Sequence, residues 1–310
     1  MPPPKKLPKL PSIRELVRLY NLRAKQQLSQ NFIMDKNVTD KIVSLAGLEL
    51  DNALCVEVGP GPGLLTRSVL DHSASTVVAV EKDERFAPTL QQLQDASDGR
   101  LRVLLGDMLK IDHQRIIDSG LKLRPGNGEK SEPFEYVHLL GNLPFNVATA
   151  LLIQWLHFLS EQQGIFSAPN VSMTLMFQKE VADRITAAAS ESSRGRLSIV
   201  SQSLCDAFRL YNVPHTSFVP RPKVDATVVQ LRPLKKPLLQ SSLKTLEHLT
   251  RFTFMKRRKM LSTIFKGWDS NQLALLEECE IEPTLRPQDV PTDKFCLLAG
   301  IIEQRGIKLP

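Results

Sequence analysis

Two stretches of this sequence carry residue types whose spacing could do chemistry. The first is Glu57-Val58-Gly59-Pro60-Gly61-Pro62-Gly63, set between the apolar runs Leu54-Cys55-Val56 and Leu64-Leu65. That order reads as buried strand, tight turn and helix. Glycines at alternate positions lack Cβ, so the backbone can close on a ligand and take up positive φ at little cost. The two prolines remove amide donors, and Leu64-Leu65 stand where a phosphate loop has Lys-Ser/Thr, so the turn is a poor phosphate cradle. The alternation also breaks the dinucleotide pattern G-x-G-x-x-G. The spacing suits a nucleoside whose sugar and amino-acid tail lie over the turn without a pyrophosphate, and S-adenosylmethionine is such a ligand. An ordinary strand-to-helix turn is the alternative.

Two more strand ends bear on this choice. Thr76-Val77-Val78-Ala79-Val80 ends in Glu81, and Leu101-Arg102-Val103-Leu104-Leu105 ends in Gly106-Asp107. In nucleotide-binding α/β sheets an acid at the end of the second strand accepts from ribose hydroxyls. A carboxylate at Asp107 could accept from an adenine amino group.

The second chemical stretch, Asn142-Leu143-Pro144-Phe145, closes the strand Tyr136-Val137-His138-Leu139-Leu140. Tetrapeptides of the form Asn-Leu-Pro-Tyr/Phe mark amino-group methyltransferases, for a chemical reason. The exocyclic nitrogen of adenine is a weak nucleophile because its lone pair is delocalised into the ring. Acceptors on its two hydrogens localise that pair and aim it at a methyl carbon. Asn142 offers its side-chain oxygen, and Leu143 its carbonyl, held extended by the following proline. Phe145 offers a face on which a flipped base can stack.

The elements that must position these groups follow from the rest of the 310 residues. A net charge of +7, with a pI near 9.2, favours an anionic partner. No apolar run approaches the roughly 18 residues that span a bilayer. Cys55, Cys205, Cys279 and Cys296 lack metal-ligand spacing and read as reduced core residues. No metal is expected. Residues 1–11 are rich in Pro and Lys and contain no acid. They lead into Ser12-Ile13-Arg14-Glu15, a capping box before an amphipathic helix. This start fits a mitochondrial presequence or a folded helix touching RNA or the core. Gln27 to Ile33 reads as a loop whose amides and aromatic could cover the glycine turn, and a helix is expected from Asp35 to Ala46. Residues 118–135 read as a polar surface loop. A fifth strand, Val171–Met176, precedes Phe177. Strands Phe208–Val213 and Ala226–Leu231 complete seven, the last antiparallel. Residues 238–310 have helical spacing. Within them Phe252-Thr253-Phe254-Met255-Lys256-Arg257-Arg258-Lys259-Met260 interleaves aromatics with a basic cluster, which suits RNA backbone contact as well as a solvated face.

Five motifs stand in order: Leu28-Ser29-Gln30-Asn31-Phe32, Glu57 to Gly63, Asn142 to Phe145, Phe177-Gln178-Lys179-Glu180-Val181-Ala182, and Phe218-Val219-Pro220-Arg221-Pro222-Lys223-Val224-Asp225. Together they resemble the small-subunit rRNA adenine N6,N6-dimethyltransferases, and Leu10 to Glu15 with Phe145 most resemble the mitochondrial branch. The resemblance implies an α/β fold: a Rossmann-like seven-stranded S-adenosylmethionine-dependent methyltransferase domain over 26–232, after a basic extension at 1–25. A small helical RNA-contacting domain follows over 238–310. It implies a monomer in the mitochondrial matrix that methylates two adjacent adenines twice each, near the 3′ end of small-subunit rRNA. The small ribosomal subunit is then the partner, with the mitochondrial transcription machinery as a second candidate. A nucleic-acid-binding factor whose methylase site is secondary is the alternative. By the same resemblance Gln30, Asn31 and Ile33 meet the cofactor, the last two at its methionine end. Gly59 and Gly61 form the turn beneath it, Glu81 holds the ribose, and Lys82 with Asp107 holds the adenine. Asn142 lies between cofactor and target, with Leu143, Pro144 and Phe145 beside it. Phe177 is a second stacking wall for the target base.

Overall fold

The computed structural model describes residues 31–48, 53–72, 76–124, 132–268 and 273–310, with Leu7 and Glu15 as isolated positions. The expected roles of Gln30 and of the N-terminal helix lie outside the described residues.

Nine strands are described: β1 (Phe32–Ile33), β2 (Ala53–Val58), β3 (Thr76–Glu81), β4 (Leu101–Leu105), β5 (Tyr136–Asn142), β6 (Asn170–Gln178), β7 (Cys205–Val213), β8 (Phe218–Val219) and β9 (Ala226–Pro233). Seven form one sheet in the order β4-β3-β2-β5-β6-β9-β7, and β1 and β8 form a separate two-stranded sheet. The pairs β4/β3, β3/β2, β2/β5 and β5/β6 are parallel. All six residues of β2 are buried, as its unbroken Ala-Leu-Cys-Val-Glu-Val run requires of a strand covered on both faces. The chain winds outward from β2 to β4 and then returns to the other side of β2 as β5. Strand order therefore reverses between β2 and β5, and ligands of such sheets bind beyond the carboxyl ends of the strands at that reversal. The glycine turn, Glu81 and Asn142 all sit at those ends.

The helices are α1 (Lys36–Ala46), α2 (Leu64–His72), α3 (Ala87–Asp95), α4 (His113–Leu121), α5 (Phe145–Ser160), α6 (Lys179–Thr186), α7 (Arg196–Gln202), α8 (Leu243–Met255), α9 (Leu261–Lys266), α10 (Ala274–Glu278) and α11 (Thr292–Gln304). Asp35 caps α1 by accepting from the Asn37 amide, and Gly47 ends it in the left-handed conformation. The expected surface loop over 118–135 is shorter than its polar composition suggests. Residues up to Leu121 belong to α4, and Phe134 is buried. Gly120 explains this: a Cβ there would lie 2.8 Å from Leu54 and 3.1 Å from Phe134, so only glycine lets α4 pack so closely. The four cysteines are buried and unpaired. Among the described residues, no helix is long and apolar enough to cross a membrane.

The chain divides into two compact units. One comprises residues up to Lys179 with Arg209–Gln230, and the other comprises Glu180–Phe208 with Leu231–Pro310. The second unit thus takes in a segment from between β6 and β7 besides the C-terminal helices. Arg194 gives the physical reason. Its buried guanidinium donates to the carbonyls of Ala187 and Val290 and to the Thr292 hydroxyl, at 2.9, 3.1 and 3.0 Å. A buried charge must be satisfied where it lies, so these contacts bind the 187–195 segment to the start of α11.

Within that unit the aromatics of the basic stretch pack against other rings. Phe252 meets Phe265 and Trp268 edge-on at 6.0 and 5.5 Å, and Phe254 lies 6.1 Å from Phe295. Two residues apart, they lie on opposite sides of α8, and each meets its own ring partners. Arg257 is also engaged, with Gln288 at 2.9 Å and with the Ser192 carbonyl. Lys256, Arg258 and Lys259 are exposed.

Candidate active site

A cavity of about 390 Å³ opens at the carboxyl ends of β2, β3, β4 and β5. Of the residues singled out in the sequence, Asn31, Ile33, Gly59, Glu81, Lys82, Asp107, Asn142 and Pro144 line it. Gly61, Leu143, Phe145 and Phe177 do not.

The floor is the glycine turn. Gly59, Gly61 and Gly63 have φ of +68°, +54° and +87°, which side chains bearing a Cβ rarely adopt. The Gly59 amide donates to the Val80 carbonyl at 2.9 Å, tying the turn to the end of β3. Gly61 is a supporting residue: a Cβ on it would lie 2.7 Å from the ring of Phe32. Phe32 itself rests edge-on against Phe86, ring centroids 5.2 Å apart, and lines the cavity.

Glu81 is 2 % exposed. Its Oε2 accepts from the Gly61 amide at 2.9 Å and its Oε1 from the Asp83 amide at 2.7 Å. Burial raises its pKa, and the backbone donors of Asp83, Gly61 and Lys82 oppose that shift. A carboxylate offers about four lone-pair sites, so these donors leave capacity for hydroxyls in the cavity.

Asp107 is held differently. Its Oδ2 lies 2.9 Å from Lys82 Nζ, and its Oδ1 accepts from the Leu109 amide at 3.0 Å. Against the upward pull of partial burial, the bonds from Lys82 and Leu109 keep this carboxyl below the usual carboxylate range. Lys82 is 68 % exposed, so it can move aside for a ligand donor.

Glu57 lines the cavity and is buried, and among the described residues its Oε2 has no well-formed hydrogen bond. Burial pushes its pKa up to about 8, with the Thr66 hydroxyl opposing the shift and the nearby charge of Glu81 adding to it. A buried carboxyl oxygen without a well-formed hydrogen bond is open to a donor or cationic group from a ligand that reaches it.

The opposite wall is the end of β5. Asn142 Nδ2 donates to the Asn31 carbonyl at 2.7 Å. A carbonyl can only accept, so this bond fixes which branch of the amide faces Asn31 and leaves Oδ1 on the other. Helix α5 opens by using the Pro144 carbonyl for the amides of Val147 and Ala148, at 3.0 and 3.1 Å, so the Leu143 carbonyl stays outside its ladder. Gly141 lets β5 come this close: a Cβ there would lie 2.9 Å from the Val58 carbonyl. A glycine inside a strand is the signal that could have flagged it.

Phe177, next to the last residue of β6, is fully buried in this structure and does not line the cavity. Phe145, in the first turn of α5, is partly buried against the core cluster that contains Ile33, Met176 and Phe218. Phe32 lines the cavity as the aromatic expected over the glycine turn, while Glu57, Asp83, Arg85, Met108 and Asn146 line it without having been assigned there. Among the described residues, no cluster of His, Cys, Asp and Glu is arranged to hold a metal.

A family model described as ribosomal RNA adenine dimethylase matches residues 21–304. The chain belongs to the ribosomal RNA adenine dimethylase family. It is 42 % identical to mitochondrial dimethyladenosine transferase 1 of Bos taurus over 304 residues, which cover 96 % of this chain and 87 % of that protein. To dimethyladenosine transferase 1, mitochondrial, of Homo sapiens it is 41 % identical over 302 residues, covering 96 % and 86 %. Two solved structures share the fold at 22 % identity. They are a dimethyladenosine transferase from Plasmodium falciparum (TM-score 0.69, 90 % of this chain and 100 % of that one) and the 23S rRNA methyltransferase ErmE (0.60, 88 % and 100 %). S-adenosylmethionine is the cofactor of this family's reaction, and the open Glu57 oxygen, the glycine floor and the strand-end acids fit it.

Proposed function

We propose that the protein is a mitochondrial S-adenosylmethionine-dependent rRNA adenine N6,N6-dimethyltransferase that acts on two adjacent adenines near the 3′ end of small-subunit rRNA. The observation that carries this reading is the Asn142 amide, locked onto the Asn31 carbonyl at the rim of a nucleoside-sized cavity. It presents an acceptor oxygen where an amino group must be aimed. The matrix is the compartment where such an rRNA is found, and the small ribosomal subunit is the partner. Primer extension across small-subunit rRNA from cells lacking the protein tests the reading, because dimethyladenine blocks reverse transcriptase. Loss of the paired stops is expected, and their persistence would overturn it.

The bound cofactor supplies an electrophilic methyl group on a sulfonium. The residues do the rest by holding and orienting. Glu81 accepts from ribose hydroxyls with the lone pairs its backbone donors leave. Asp107 accepts from the adenine amino group once Lys82 swings out, and Asn31 and Ile33 flank the methionine end. On the target side, Asn142 Oδ1 and the Leu143 carbonyl accept from the two hydrogens of the adenine amine, while Phe145 supports the flipped base. After the first transfer one hydrogen remains, so one acceptor suffices to orient the second. The nitrogen attacks in line, and no side-chain nucleophile is required.

Glu57 is the partner for the cofactor's cationic ammonium, and that role makes affinity depend on pH. A carboxyl with a pKa of about 8 is mostly protonated at neutral pH and must ionise to pair with a cation. Cofactor affinity should rise about tenfold per pH unit from about pH 6.5 and level off above about pH 8. Glu57→Gln should flatten that rise. Calorimetry across this range checks it.

Lys256, Arg258 and Lys259 are proposed to meet RNA phosphates. Neutralising all three should reduce the log–log salt slope of RNA binding by roughly 0.7–0.9 for each contact, with cofactor affinity unchanged. An unmoved slope would make this a solvated face.

A further inference from the structure

The motif Phe218 to Asp225 has no role in the cavity, yet it is mechanically joined to Asn142. Among the described residues, β1 has one strand partner, β8, with Phe32 opposite Val219 and Ile33 opposite Phe218. The Met34 amide extends the pairing to the Ser217 carbonyl at 3.3 Å. A two-residue strand has little stability of its own, so β8 determines where β1 lies. Asn31, immediately before β1, supplies the carbonyl that orients the Asn142 amide at 2.7 Å.

The loop that carries β8 is tied at its base. Asp225 Oδ1 accepts from both the amide and the Nδ1 of His215, each at 2.8 Å, and the Asp225 carbonyl accepts from the Lys179 amide at 2.9 Å. Phe218 is fully buried in the same core cluster as Ile33. Between these anchors Pro220 and Pro222 restrict the backbone, while Arg221, Lys223 and Val224 are exposed. A stiff loop with two like charges at its tip and a fixed base passes a load at the tip to β8 instead of absorbing it. The charges suit a phosphate backbone.

Building on the methyltransferase reading, we infer that Phe218–Val219 is a positioning strap for Asn142 and that target RNA bears on it through Arg221 and Lys223. RNA contact at the tip seats β8 against β1, β1 holds the Asn31 carbonyl, and that carbonyl sets the acceptor oxygen. Methyl transfer is thereby coupled to RNA engagement at a point outside the cavity.

The test uses the full chain and a synthetic RNA hairpin copying the 3′ hairpin of small-subunit rRNA. In Arg221→Gln/Lys223→Gln the salt slope of hairpin binding should fall by roughly 0.7–0.9 per lost contact. Turnover at saturating RNA and cofactor should fall about tenfold, a part of what a misplaced acceptor costs, with cofactor affinity unchanged. An unchanged slope overturns the RNA contact, and a changed slope with unchanged turnover overturns the coupling. Phe218→Leu keeps an apolar side chain in the core while loosening the strap. It should lower turnover at saturation and shift the side-chain amide resonance of Asn142, identified by its loss in Asn142→Ala. A resonance that does not move overturns the strap. Wild-type protein unable to methylate the hairpin would instead overturn the methyltransferase reading itself.

Discussion

Asn142→Ala is expected to cut methyl transfer by about 10²–10³ while the protein remains folded and binds RNA. Removing one preorganised hydrogen-bond partner of a transition state typically costs that much. The side chain is partly buried and makes a single side-chain bond, to the Asn31 carbonyl, so its loss leaves the sheet intact. Asn142→Asp is a sharper version. A carboxylate cannot donate to the Asn31 carbonyl, so the 2.7 Å contact becomes a repulsion between two acceptors. Turnover should fall although an acceptor oxygen is retained. Because Asn142 borders the cavity, cofactor affinity must be measured separately and rates compared at saturation. If either variant turns over the rRNA hairpin like wild type, the tetrapeptide is a structural turn and nothing more.

Glu81→Ala should weaken cofactor binding by about ten- to hundredfold, equivalent to the roughly 1.5–3 kcal/mol of hydrogen bonds to a charged acceptor. The carboxylate also organises the protein, since it accepts from the amides of Gly61 and Asp83. Part of the loss in Glu81→Ala would therefore come from a disordered glycine turn. Glu81→Gln separates the two contributions. Its amide can still accept through one oxygen but faces one backbone amide with a donor, so the turn is half kept while the charge is gone. RNA affinity should be unchanged in both. Calorimetry that finds cofactor affinity equal to wild type would remove Glu81 from the cofactor site.

Local order and covalent type were enough for much of this protein. The apolar runs beginning at Leu54 and Thr76 read as buried strands, and those at Leu101 and Tyr136, interrupted by Arg102 and His138, read as strands too. Alternating glycines after the first of them mark a turn of positive φ, and the strand-end acids and Asn142-Leu143-Pro144-Phe145 point to a chemistry by type and spacing. These features depend on neighbours within a few residues, so the chain carries them openly.

Tertiary structure alone decided what depends on distant partners. Nothing local marks Phe177 as buried, because its exposure is set by what covers β6 rather than by its own strand. Phe252 and Phe254 look available to RNA until Phe265, Trp268 and Phe295 fold against them. Glu57 has an ordinary carboxylate's sequence context, and only enclosure beside Glu81 raises its pKa. The bond that orients Asn142 spans 111 residues to a backbone carbonyl. A carbonyl is the same atom in every residue, so no side-chain pattern could have announced that contact.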